Sequence, residues 1–126
     1  MAKGAKDVVI WYNPRCSKCR QTLALLQEKG YKPQLVEYLT DRPDKASLKR
    51  VLNQLGLPAR KLLRRDEAAF RELGLADETL GEDRLIDAML AHPELIERPI
   101  VVAGGRAALG RPPEQVFEIL ADELRL

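Results

Sequence analysis

Residues 8–19 read Val-Val-Ile-Trp-Tyr-Asn-Pro-Arg-Cys-Ser-Lys-Cys, and this stretch decides the fold. Its first five residues are apolar, β-branched or aromatic, which is typical of a buried strand, and the Asn-Pro pair that follows is a turn signal. From Ser17 onward, apolar residues recur at helical spacing until Gly30, which is a helix stop signal. The stretch therefore predicts a strand that turns directly into a helix, with Cys16 and Cys19 at the start of that helix.

The middle of the chain is predicted to be helical. Leu35 to Leu39 favours a second strand, and the Thr-Asp-Arg-Pro sequence at residues 40–43 is a loop signal. Beyond it, apolar residues keep helical spacing, with one apolar face ending at Gly56 and another at Pro93. We therefore expect an all-helical insertion at about residues 43–97.

The end of the chain returns to strands. Ile100 to Val102 and Ala107 to Leu109 are separated by a Gly-Gly pair, which predicts a hairpin with a tight turn. Pro112 then opens a final helix with apolar residues on its inner face. The fold class is accordingly α/β, with a small mixed β-sheet flanked by helices, and residues 1–126 are expected to form a single domain.

Composition limits the function. The chain has 126 residues, with 21 basic and 19 acidic residues interspersed along its length, so its net charge of +2 predicts no nucleic-acid or membrane partner. The segment Met1 to Lys6 is basic but lacks the apolar stretch of a secretory signal. We expect a cytoplasmic protein and a monomer.

Cysteine and histidine are scarce. Two cysteines are too few for a secreted disulfide framework and point to catalytic or redox chemistry. With two thiols and one histidine, a closed four-ligand zinc shell would need carboxylates, so no metal is expected. His92 lies at a predicted helix end, where a structural role is favoured over catalysis.

The two cysteines are the candidate reactive groups. At the start of a helix, backbone N–H groups and the helix dipole favour a thiolate at Cys16 and also bind anions. The alternative is that Cys16 is a small buried apolar residue. Cys-Ser-Lys-Cys has the C-x-x-C spacing of redox proteins, so Cys19 is a candidate resolving thiol, although core packing is an equal alternative.

Three arginines stand at predicted element boundaries: Arg64, Arg98 and Arg111. Each guanidinium offers a planar fork of donors that suits a tetrahedral oxyanion and would keep a nearby thiol ionised. The alternative for any single arginine is a solvated surface charge.

Five motifs in order resemble the ArsC-like arsenate reductases, over a region that runs from about Val8 to the C-terminus. They are Tyr-Asn-Pro-Arg-Cys-Ser at 12–17, Lys-Leu-Leu-Arg-Arg at 61–65, Asp-Arg-Leu-Ile-Asp at 83–87, Arg-Pro-Ile-Val-Val at 98–102 and Gly-Arg-Pro-Pro-Glu at 110–114. The resemblance implies a thioredoxin-like fold, a nucleophilic Cys16, an oxyanion site formed by the three arginines, and a cis peptide before Pro99 that faces the thiol.

The resemblance also implies a reaction. The thiolate attacks arsenate to give a thiol–arsenic adduct, glutathione acts as co-substrate and displaces it, and glutaredoxin completes the reduction to arsenite, with no tightly bound cofactor. Two positions depart from the family pattern: relatives commonly have serine at the position of Cys19 and histidine at the position of Tyr12. Cys19 would permit an internal disulfide reduced by thioredoxin or glutaredoxin.

Two other functions fit the same resemblance. One is a redox-sensing regulator similar to Spx, which binds RNA polymerase; the C-x-x-C favours it, and the arginine of Gly-Arg-Pro-Pro-Glu disfavours it. The other is a glutathione-dependent thiol reductase of the same fold that acts on glutathione adducts.

Overall fold

The computed structural model describes residues 8–120 and divides them into two compact units, residues 8–38 with 98–120 and Leu39–Glu97. We call them the sheet unit and the helical unit. The elements are β1 (Val8–Trp11), α1 (Ser17–Glu28), β2 (Gln34–Val36), α2 (Lys45–Leu55), α3 (Ala59–Leu62), α4 (Ala68–Glu72), α5 (Glu82–Ala91), a 3₁₀ helix (Pro93–Leu95), β3 (Ile100–Ala103), β4 (Arg106–Leu109) and a second 3₁₀ helix (Pro113–Leu120). The predicted basic N-terminal segment lies outside the described residues.

The sheet has the strand order β2-β1-β3-β4. β2 runs parallel to β1, as expected for two strands joined by a crossover helix, whereas β3 is antiparallel to β1 and β4 is antiparallel to β3. The β3–β4 turn is made by Gly104 and Gly105, both at positive φ, a conformation that glycine adopts without steric cost. This is the predicted mixed α/β, thioredoxin-like arrangement.

The core of the sheet unit includes both cysteines. β1 contributes Val8 and Ile10, and the inner face of α1 buries Cys19, Thr22 and Leu26 at helical spacing. β2 is shorter than the predicted Leu35-to-Leu39 strand, because its pairing with the four-residue β1 ends at Val36.

The helical unit forms around α2 and α5. The Asp44 side chain caps α2 by accepting a hydrogen bond from the Ser47 backbone N–H at 2.8 Å, and Gly56 ends the helix in the left-handed conformation. α2 and α5 each bury an apolar face, as their sequences predicted. None of the helices described between residues 8 and 120 is long and apolar enough to cross a membrane.

Candidate active site

Cys16 sits where β1 passes into α1. It is the N-cap residue of α1, and its backbone N–H donates to the Asn13 carbonyl at 2.9 Å. The Asn13 side-chain oxygen accepts from the Arg15 backbone N–H at 3.0 Å, so the loop is held by hydrogen bonds on both sides of Pro14. Strand, turn and helix therefore fix the backbone at Cys16 at the positive end of the α1 dipole.

The surroundings of Cys16 favour its thiolate. Burial raises the pKa of Cys16, but four lowering influences together outweigh it: hydrogen bonds from the Cys19 backbone N–H and thiol, the Arg98 charge and the Lys18 backbone N–H. The net pKa lies below the ordinary value of a thiol. A lowered pKa increases the thiolate fraction near neutral pH, which is the form that acts as a nucleophile.

The pKa of Cys19 is shifted in the opposite direction, above that of an ordinary thiol. Burial raises its pKa, the Asn13 backbone N–H lowers it, and the neighbouring Cys16 charge raises it again, to about 12. The Asn13 N–H lies 3.4 Å from the Cys19 sulfur. Cys19 therefore stays a protonated thiol while Cys16 ionises, so the two sulfurs of the C-x-x-C sequence are chemically different.

Arg98 and Arg111 lie in the sheet unit with the thiols. The charge of Arg98 lowers the pKa of both thiols. The Arg111 Nε donates a hydrogen bond to the Arg98 carbonyl at 2.8 Å. The Arg98–Pro99 peptide bond is cis, the isomer that the family resemblance implies, and so is the bond from Arg111 to Pro112. Within the sheet unit, Arg98 therefore interacts electrostatically with Cys16, and Arg111 is hydrogen-bonded to the backbone of Arg98.

Arg64 belongs to the helical unit and has acidic neighbours there. Its guanidinium lies 2.8 Å from Glu67, 3.4 Å from Asp66 and 3.8 Å from a Glu97 carboxylate oxygen. Its backbone N–H donates to the Leu95 carbonyl at 2.7 Å, next to the bridge between Leu63 and Ile96. The role of Arg64 in an oxyanion site stays a prediction.

Two residues that the sequence did not single out hold α1 against the segment beside Arg98. A Cβ at Gly110 would lie 2.5 Å from Thr22 Oγ1 and 2.7 Å from Pro99 Cγ, so any larger residue would force one of these side chains to shift. The Gly110 N–H also donates to the Pro99 carbonyl at 3.0 Å. Thr22 is fully buried, and its hydroxyl has no hydrogen-bond partner within residues 8–120. The sequence signal for Gly110 was its place as the first residue of the Gly-Arg-Pro-Pro-Glu motif at 110–114.

The structure places two further residues, His92 and Tyr12, in different units. His92 lies in the helical unit, with its Nδ1 3.5 Å from a Glu94 carboxylate oxygen. Tyr12, at the position where the resemblance expects histidine, is buried in the core cluster of the sheet unit. Between residues 8 and 120, no three side chains of His, Cys, Asp or Glu are grouped so that they could hold a metal ion.

Known proteins share this fold and much of this sequence. The chain is 53% identical over 116 residues to the YfgD protein of Escherichia coli K12, a match that covers 91% of this chain and 98% of that protein. It is 45% identical over 115 residues to an arsenate reductase of Neisseria meningitidis serogroup B, with 90% and 98% coverage. A solved structure of arsenate reductase from Vibrio cholerae matches with a TM-score of 0.89 at 52% identity, covering 91% of this chain and 98% of that one.

The family match spans the whole site. Residues 11–119 match the ArsC family, a range that contains both cysteines and all three arginines singled out above. Since this range and the relatives cover nearly the whole chain, the protein belongs to the ArsC family.

Proposed function

We propose that this protein is an arsenate reductase that works through a covalent adduct on Cys16. The observation that carries the proposal is a thiol with a lowered pKa at a helix N-terminus, beside the charge of Arg98. An activated nucleophile next to positive charge is what attack on an oxyanion requires. The relatives named arsenate reductase supply the identity of the oxyanion.

The first step forms the adduct. The Cys16 thiolate attacks arsenic, a sulfur–arsenic bond forms, and one arsenate oxygen leaves as water after protonation. The guanidinium groups of Arg98 and Arg111 stabilise the charge that builds on the remaining oxygens. Arg64 is the third arginine of the proposed site, and its acidic neighbours make its expected contribution smaller than that of Arg98.

The second step reduces arsenic. A second thiol attacks the Cys16 sulfur, the sulfur–arsenic bond breaks, and its electron pair stays on arsenic, which leaves as arsenite. The two sulfurs are oxidised to a disulfide. Glutathione as co-substrate and glutaredoxin as final reductant are the donors that the family resemblance suggests, and we include them in the proposal. Both cysteines are free thiols, as a reducing cytoplasm would keep them.

The test is arsenate-dependent NADPH oxidation by the purified protein. One assay contains glutathione, glutaredoxin and glutathione reductase; a parallel assay contains thioredoxin and thioredoxin reductase. We expect turnover by the wild type and none by C16S, because a serine hydroxyl is not ionised near neutral pH. The control is Gln21→Ala, an exposed position on α1. Normal turnover by C16S would contradict the mechanism.

The C-x-x-C pair favours a second candidate, reduction of glutathione adducts on other thiols. The Cys16 thiolate would then attack the glutathione sulfur of a mixed disulfide, the old sulfur–sulfur bond would break, the target thiolate would leave, and Cys16 would carry glutathione in a new disulfide. Reduction of such an adduct without arsenate turnover would support this candidate. Stoichiometric capture of the RNA polymerase α subunit would instead support a regulator.

A further inference from the structure

The second thiol of the C-x-x-C sequence has a place in the reaction, if the proposed function holds. We propose that Cys19 is the resolving thiol: its sulfur attacks the Cys16 sulfur of the arsenic adduct, releases arsenite and leaves a Cys16–Cys19 disulfide. An internal thiol thereby does what glutathione would otherwise do.

The positions of the two cysteines suit a disulfide. Cys16 is the N-cap of α1 and Cys19 is three residues further along, so both side chains lie on one face of the first turn. Residues at this spacing have Cβ atoms about 5–6 Å apart, and a disulfide brings the two Cβ atoms to about 3.5–4.5 Å. The Cys19 thiol already hydrogen-bonds to the Cys16 sulfur. An approach of about 1–2 Å between the two Cβ atoms is therefore needed to form the bond.

The competing interpretation is that Cys19 only fills the core. It is fully buried and belongs to the apolar cluster of the sheet unit. A packing residue needs no polar partner, however, and the Cys19 sulfur has two: the Asn13 N–H, at 3.4 Å, and Cys16. The Asn13 N–H can stabilise negative charge on the Cys19 sulfur as its proton leaves.

Formation of the arsenic adduct on Cys16 lowers the pKa of the Cys19 thiol. Four influences besides burial act on its pKa: the Asn13 hydrogen bond and the Arg98 charge lower it, whereas the Cys16 charge and the hydrogen bond with the Cys16 side chain raise it. Once Cys16 is bonded to arsenic, its sulfur no longer carries a thiolate charge, and the two lowering influences remain. Cys19 therefore becomes more acidic only after the adduct exists, which puts the two thiols in the correct order.

The electrons of the reaction balance, and one further reactant is needed to reduce the resulting disulfide. Arsenic takes the electron pair of the sulfur–arsenic bond, the two cysteine sulfurs are oxidised together, and the Cys19 proton goes to an arsenite oxygen. The resulting disulfide is reduced by a dithiol protein of the thioredoxin or glutaredoxin class through thiol–disulfide exchange. Glutathione is then unnecessary for arsenite release.

A single-turnover experiment tests this assignment. The full chain is reduced, freed of external thiol and mixed with arsenate. We expect the wild type to release one equivalent of arsenite, to lose both titratable thiols, and to give a Cys16–Cys19 disulfide in a peptide map after alkylation. C19S and C19A should retain the arsenic adduct and release no arsenite until glutathione is added. Gln21→Ala should behave as the wild type does.

Two outcomes would overturn the assignment and are distinguishable. If the wild type releases arsenite only after glutathione is added, at the rate of C19S, Cys19 is a packing residue and the proposed function survives. If neither the wild type nor either variant reduces arsenate with any thiol donor, the proposed function fails together with this assignment. Using two replacements at position 19 separates loss of the thiol from a folding defect, which circular dichroism of both variants would reveal.

Discussion

The two units of this protein use charge in opposite ways. In the sheet unit, the charge of Arg98 acts on the sulfurs of Cys16 and Cys19. In the helical unit, cations face carboxylates, as where Lys45 lies 3.0 Å from Asp87 and 3.8 Å from Asp83. The reactive thiol lies in the unit where a cation acts on a nucleophile. The helical unit instead contains pairs of opposite charges.

Arg98 and Arg64 give this comparison its sharpest form. Both are guanidinium groups at element boundaries, and nothing in the amino-acid sequence ranks one above the other. The charge of Arg98 lowers the pKa of Cys16, whereas three carboxylates lie within 4 Å of Arg64. Substitutions at the two positions should therefore have unequal effects on catalysis.

Among substitutions that leave the nucleophile in place, the largest effect is expected for Arg98→Ala. The variant loses the proposed oxyanion donor and a charge that lowers the pKa of Cys16, so kcat/KM should fall about 10²–10³-fold. The pH profile of Cys16 alkylation by iodoacetamide should move to higher pH, which loss of an oxyanion donor alone would not cause. An unchanged alkylation profile would show that Arg98 does not act on the thiol.

The next largest effect is expected for Gly110→Ala. The added methyl group would overlap Thr22 and Pro99, and overpacking of this kind costs about 1–3 kcal/mol in the free energy of unfolding. Urea unfolding would measure it. Because Thr22→Ala removes the two nearest α1 atoms, the double variant should recover part of the loss. Strictly additive effects would mean that this close contact does not cause the destabilisation.

A pH-dependent effect on stability is expected from Cys19. Its native pKa of about 12 lies above the value of 9.0 for an unperturbed thiol, so above pH 9.0 the unfolded chain loses a proton that the native protein retains. The free energy of unfolding should therefore fall as pH rises above 9.0 toward 12. C19A should lack this component, and parallel urea unfolding of the two proteins on either side of pH 9.0 would reveal it.

A smaller effect on activity is expected for Arg64→Ala. Because nearby carboxylates offset much of its charge, we expect kcat/KM to fall about tenfold, or about 1.4 kcal/mol. The same assay as for Arg98→Ala provides the comparison. A larger loss than for Arg98→Ala would reverse the ranking of the two arginines.

The smallest effect is expected for Lys45→Ala. Its ion pairs with Asp83 and Asp87 are exposed, and exposed pairs contribute little because water screens them. Neither activity nor the urea midpoint should change measurably. A clear drop in the midpoint would show that the acidic side chains of α5 depend on this cation.

Local signals account for what the sequence predicted correctly. The order of β1 and α1, the Gly104-Gly105 hairpin and the end of α2 at Gly56 each depend on neighbouring residues, and the structure has them all. The close fit of Gly110 against Thr22 could not be predicted, because these residues are distant in sequence and only tertiary packing brings them together. The approach of Glu97 to Arg64 was equally unpredictable, since only the fold brings it close, whereas Asp66 and Glu67 are near neighbours in the sequence.

The N-cap position of Cys16 has an evolutionary consequence. Part of what acidifies its sulfur comes from the main-chain N–H groups of Lys18 and Cys19, which are present whatever side chains stand there. Replacing Lys18 would alter the charge and shape around the thiol while retaining that main-chain donor. Point mutations at this end of the helix can thus change substrate preference while Cys16 stays reactive, because part of the reactivity of Cys16 comes from the main-chain geometry.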